Sequence, residues 1–177
     1  MTGTPPPSMP PSMPPAGRSE ASQALLATLT GQLFVVLQRR TPLHVRLGAS
    51  LPRPPPIYTP PHIADLVVTE RPAAIDRCLV DAPLMIAEII TETTEAELRQ
   101  DKLPDYRLLP GVREILLLHD QRLYAELHRK FDGNRWMTDL LLDRSARLKL
   151  ESVGLDLPLT TLYAQVAWPG PLPKGRR

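Results

Sequence analysis

At 177 residues, with 42% hydrophobic and 23% charged side chains, the chain can bury one ordinary core and leaves no room for two full-sized domains. A formal charge of +2 gives no general electrostatic case for nucleic acid, and a single cysteine, Cys78, excludes an internal disulfide framework or a cysteine zinc cluster. Sixteen of the 22 prolines fall within 5–15, 52–61 and 169–173, so proline marks tails and one loop rather than the body.

The start, MTGTPPPSMPPSMPPAG, has no charged n-region and no apolar h-region, unlike a signal peptide. Residues 1–18 and 168–177 read as solvated, disordered tails around one domain, 19–167. The uncharged run 21–38 is interrupted by Ser22, Gln23, Thr28, Thr30, Gly31, Gln32 and Gln38, too often for a spanning helix. Leu25, Leu29, Leu33, Val36 and Leu37 recur at helical spacing behind Ser19, a candidate N-cap, and predict an amphipathic core helix. No membrane segment is expected, and the compartment expected is a reducing cytoplasm.

Strands are predicted over 43–51 and 64–69, separated by the proline-broken loop 52–61. After a loop over 70–82, the nearly all-apolar PLMIAEIIT (83–91) predicts a strand buried on both faces. A helix is expected over 94–109, with Leu98, Leu103, Tyr106 and Leu109 buried and Pro110-Gly111 as its stop. Strand 112–119 turns at Gln121-Arg122 into a hairpin with 123–129, and Asp132-Gly133 turns the chain towards 135–142. A last strand over 147–151 and a short helix over 160–166 complete an α+β fold with a mixed sheet, flanking helices and C-terminal hairpins.

Glu88 is the residue this pattern does not explain. An ionised carboxylate in a dry strand costs several kcal/mol, on the order of the penalty for any unpaired buried charge, unless it is paired or binds a cation. Asp65 sits similarly inside ADLVV, so the two acids either flank one hard cation such as Mg²⁺ or serve separately, Asp65 at the surface and Glu88 with an arginine.

At this point IADLVVT (63–69), LMIAEIITETT (84–94), KLPDY (102–106), LPGVREILLLHD (109–120) and LESVGLDLPLTTLY (150–163), in that order and spacing, resemble the Uma-two family of bacterial restriction-endonuclease-like proteins. That family lies within the PD-(D/E)xK nuclease-like superfamily, and the likeness runs from about Ala24 to Val166. The resemblance implies a restriction-endonuclease-like sheet and an endonuclease that hydrolyses DNA phosphodiester bonds with Mg²⁺ or Mn²⁺. It places the metal on Asp65 and Glu88, and the third catalytic residue on Lys102, displaced onto the helix because Ile90 occupies the usual lysine position. Tyr106, one turn further, also matches. The expected partner is DNA, with a homodimer left open and no small-molecule cofactor. The alternatives are a nuclease-like module that binds DNA or protein without cutting, and a purely structural interaction module.

Departures from the family pattern are Ala64 before the aspartate, Thr91-Glu92-Thr93-Thr94 after the glutamate, Leu98 a turn before the lysine, and Pro104 inside the helix. Because proline is tolerated in a first turn, the helix is expected to restart near Leu103, leaving Lys102 beside a phosphate-binding N-terminus. His44, His62, His119 and His128 show no zinc-ligand spacing, and Cys78 has no base nearby in sequence. Arg39, Arg40, Arg46 and Arg53 either line a DNA track or form a solvated face.

Overall fold

The computed structural model describes residues 18–38, 42–54, 60–71 and 79–166. Residues 1–17 and 167–177, Arg39, Arg40 and Cys78 lie outside those residues, as do parts of the loops expected at 52–61 and 70–82; Arg18, expected as the end of the first tail, is described and pairs with Asp65.

Helix α1, Glu20–Leu37, starts where Ser19 Oγ accepts the Ser22 N–H at 3.0 Å, satisfying one of the donors every helix start leaves open. Its buried stripe is Leu25, Leu29, Leu33 and Leu37. By length and composition α1 could cross a membrane, but that stripe belongs to the core cluster beneath the sheet.

Strands β1 (His44–Leu51), β2 (His62–Thr69), β3 (Pro83–Ile90), β4 (Glu114–His119), β5 (Ala125–Lys130) and β6 (Trp136–Leu141) form one six-stranded sheet in that order. Every neighbouring pair is antiparallel except β3 and β4. A parallel pair needs a long crossover, and here residues between Ile90 and Glu114 provide it. They include α2 (Glu95–Glu97), a π-helical turn (Leu98–Lys102) and α3 (Leu103–Leu108). Gly111, at φ +87°, follows α3 where a Cβ would stand 3.3 Å from the Pro83 carbonyl oxygen, so a side chain there would be strained in conformation and crowded against β3. Beyond the sheet, β7 (Arg147–Leu150) and β8 (Leu155–Pro158) pair as a hairpin and lead into α4, Leu159–Leu162.

Alternation along the central strands divides the core in two. Leu66, Val68, Met85, Ala87, Leu116 and Leu118 face α1, the β7–β8 hairpin and α4. Val67, Ile86, Ile90, Ile115 and Leu117 face the crossover helices through Leu98, Leu103, Tyr106 and Leu109. At about 25 cal/mol per Å² of apolar surface, these two layers are the dominant stabilising term.

The α+β architecture and its mixed sheet are as the sequence implies, with two differences. The helix does not restart at Leu103. The Leu103 N–H bonds to the Leu98 carbonyl, five residues back, and Lys102 and Leu103 both keep right-handed helical angles. In a regular helix the Pro104 ring would collide with the carbonyl four residues earlier; one wide π turn removes the collision without breaking the helix. Lys102 therefore stands inside a continuous helical segment, and no free N-terminus exists there to hold a phosphate. Strand β8 is the second difference. The LDLP stretch is short, and Gly154, at φ +71°, makes the turn that folds it back on β7.

Candidate active site

Period-two alternation puts Glu88 on the same face as Ile86 and Ile90, beneath α3, and it is only 3% exposed. Leu66 pairs with Ala87, so continuing the antiparallel register brings Asp65 beside Glu88. Asp65 Oδ2 accepts the Ile89 N–H at 2.8 Å, tying its carboxylate to the residue after Glu88.

The helix supplies the other two groups. Lys102 and Tyr106 are four residues apart and share a helix face. Lys102 Nζ donates to Glu88 Oε1 at 3.2 Å and to the Ile63 carbonyl at 2.8 Å, so it joins β3 to β2. Tyr106 Oη donates to the same Glu88 oxygen at 2.6 Å. Asp65, Glu88 and Lys102, the three residues singled out in the sequence, thus meet in one place, with Tyr106 beneath them.

Burial, then the Asp65 charge, raise the Glu88 carboxyl from its ordinary 4.5 to about 7, against the lowering pull of Lys102 and Tyr106. Burial and the Glu88 charge push the Tyr106 hydroxyl far above the usual phenol range, which keeps it a proton donor. Both described donors go to Oε1; Oε2 has none among the described residues. Two neighbouring carboxylates, one with an oxygen that neither Lys102 nor Tyr106 engages, fit a hard divalent cation held by oxygen ligands.

Two side chains that the sequence did not place border this pair. Arg18, immediately before α1, forms an ion pair with Asp65 Oδ1 across 47 positions of sequence. His62, at the start of β2, meets Asp105 at 2.8 Å and stacks edge-on against Tyr106 with ring centroids 5.7 Å apart. With Asp101 it forms a His–Asp–Asp group whose ligand atoms lie within 4.8 Å of one another. Arg53 already pairs with both acids, at 3.2 Å to Asp105, so it is committed to them and is not a loose cation for a DNA track. Of the other histidines, His119 and His128 are buried in the sheet and His44 is exposed. Glu92, the extra acid after β3, is exposed in its turn.

The sequence profile described as "Putative restriction endonuclease", Uma2, matches residues 11–161. The chain belongs to the Uma2 family. Within that setting, an uncharacterized Synechocystis protein, slr1290, is 29% identical over 86 residues, which cover 49% of this chain and 45% of the relative. The chain thus aligns with less than half the length of this curated relative. A crystal structure from Anabaena variabilis, described as that of a "putative nuclease belonging to DUF820", superposes with a TM-score of 0.68. It covers 85% of this chain and 84% of its own at 12% identity, a likeness of fold. The fold of this Uma2 chain is therefore nuclease-like, and its buried Glu88, with Asp65 beside it, lies under the crossover helix.

Proposed function

We propose that this Uma2 chain is a metal-dependent endonuclease that hydrolyses phosphodiester bonds in DNA. The observation that carries the reading is the convergence of Lys102 and Tyr106 on Glu88 beside Asp65. Asp65 and Glu88 would hold Mg²⁺ or Mn²⁺, a donor set suited to either ion. Bound there, the ion would act as a Lewis acid on the phosphoryl group.

The protein's own contributions follow from position. Tyr106 fixes one Glu88 oxygen, so the carboxylate cannot swing away from Asp65. Lys102, held between Ile63 and Glu88, keeps an ammonium where negative charge grows as a water oxygen attacks phosphorus. The phosphorus–oxygen bond to the leaving strand then breaks; the attacking water gives up a proton to solvent, and the leaving oxygen takes one up.

The test is incubation of purified protein with plasmid and linear DNA across Mg²⁺, Mn²⁺ and Ca²⁺, beside Asp65→Asn and Glu88→Gln. Cleavage by the parent with a divalent ion and its loss in both variants is the expected result. DNA retained on the protein but uncut under every ion would instead identify a nuclease-like binding module.

A further inference from the structure

We infer that Arg18 is a built-in counter-ion for the acid pair, which a divalent metal must displace from Asp65 in order to bind. The inference rests on the proposed metal site. Asp65 has both oxygens engaged: Oδ2 with the Ile89 N–H at 2.8 Å, and Oδ1 with the Arg18 guanidinium. A metal ion approaching Oδ1 would meet the same oxygen and a like charge, so the two cations compete for one position.

Arg18 is not a loose surface side chain that happens to fall there. Its carbonyl accepts Gln23 Nε2 at 2.9 Å, and the next residue, Ser19, caps α1. The hydroxyls of Ser19 and Ser22 converge on Asp120 Oδ2 at 2.8 and 2.9 Å. Asp120 is itself buried and its N–H bonds to the Ile90 carbonyl at 3.1 Å, at the end of the strand that carries Glu88. The start of α1 is therefore pinned to the C-terminal ends of β3 and β4, and Arg18 is the residue this anchorage delivers to Asp65. The Arg18 side chain remains 42% exposed while Asp65 is 13% exposed, so the guanidinium can withdraw into water when displaced.

An ion pair of this exposure is worth up to about 1 kcal/mol, and its removal should tighten metal binding by up to about fivefold. The experiment is calorimetric titration of the full chain with Mn²⁺, comparing the parent, Arg18→Gln, Arg18→Lys and Arg144→Gln. Arg144→Gln removes the same charge at an exposed position in the β6–β7 connection. Arg18→Gln should bind measurably tighter, by up to about fivefold, Arg18→Lys should stay close to the parent, and Arg144→Gln should not change. Thermal melting adds a second readout: Arg18→Gln should melt lower than the parent without metal and show the larger rise with it. Equal affinities for parent and Arg18→Gln would overturn the inference and leave the metal site standing. An equal gain in Arg144→Gln would reduce the effect to net charge and overturn it too. Binding to none of the proteins would overturn the metal site and this inference together.

Discussion

Glu88 on β3 and Glu126 on β5 stand in one row of the sheet, on either side of Leu117, which pairs with both. One helical segment reaches over both acids: Arg99 meets Glu126, while Lys102 and Tyr106 meet Glu88. Their electrostatic fates are opposite. Burial would raise Glu126, but His128, Arg99 and Tyr124 converge on it and hold it far below the usual carboxylate range. Glu88, with burial and Asp65 acting in the same direction, is raised to about 7. Glu126 is thus a saturated structural anion, and Glu88 is one whose neighbours leave it short of positive charge.

This contrast sets a pH dependence. A carboxyl whose folded pKa is raised disfavours the folded state once ionised, so its effect grows as pH rises from about 4.5 to about 7 and is then constant. The difference amounts to a few kcal/mol, on the order of 1.4 kcal/mol per pKa unit. Chemical denaturation of the metal-free protein between pH 4.5 and 8 should show Glu88→Gln losing this component of the pH slope. In the parent, metal affinity should increase over the same range because binding releases the Glu88 proton. Identical slopes in parent and variant would contradict the assignment.

Tyr106→Phe keeps the ring and removes only the donor to Glu88. A hydrogen bond to a charged acceptor is worth about 1.5–3 kcal/mol. The variant should lose stability in that range at pH 8 and much less at pH 5, where Glu88 is protonated in either protein. Denaturation midpoints at the two pH values measure it; an equal loss at both would mean that the hydroxyl serves packing and not the carboxylate.

Arg99→Ala tests the neighbouring anion. It leaves Glu126 buried and short of its main cation, a situation that costs about 3–5 kcal/mol for a fully buried pair. The Arg99 side chain is 35% exposed, so solvent screening should reduce the loss to about 2 kcal/mol. Manganese affinity, measured on the folded fraction, should stay within about twofold, since Arg99 touches neither Asp65 nor Glu88 among the described contacts.

Lys102→Ala should abolish DNA cleavage while the rise in melting temperature on adding Mn²⁺ stays equal to the parent's or grows. The ammonium's contribution lies with charge that develops during reaction, and its removal also takes a competing cation away from Glu88. A variant that cuts as fast as the parent would remove Lys102 from the mechanism.

Local chemistry explains what could be read in advance. The leucine spacing behind Ser19, the unbroken apolar run around Glu88 and the Pro110-Gly111 stop are short-range patterns, and α1, β3 and the end of α3 follow them. The oddity of Glu88 was legible because one charge in an all-apolar strand requires a partner wherever the strand lies. Lys102 emerged only by resemblance, since nothing in its immediate neighbours points to β3. The π turn escaped because Pro104 states that a helix is disturbed there, and not whether the chain breaks or widens; packing of Leu98, Leu103 and Tyr106 against the sheet favours widening.

By itself, then, the sequence determined the order of helices and strands as far as β7, the two-faced burial of β3 and the presence of carboxylates that need compensation, because each depends on residues a few positions apart. Which cation answers which carboxylate was decided only by the tertiary structure. Arg18 reaches Asp65 across 47 positions, Lys102 reaches Glu88 across 14, and Arg99 reaches Glu126 across 27. These pairings depend on strand register, on the anchoring of α1 at Asp120 and on the direction in which the crossover helix lies over the sheet. Charges attract over a few ångströms in space whatever their separation along the chain, so only the folded arrangement selects among them.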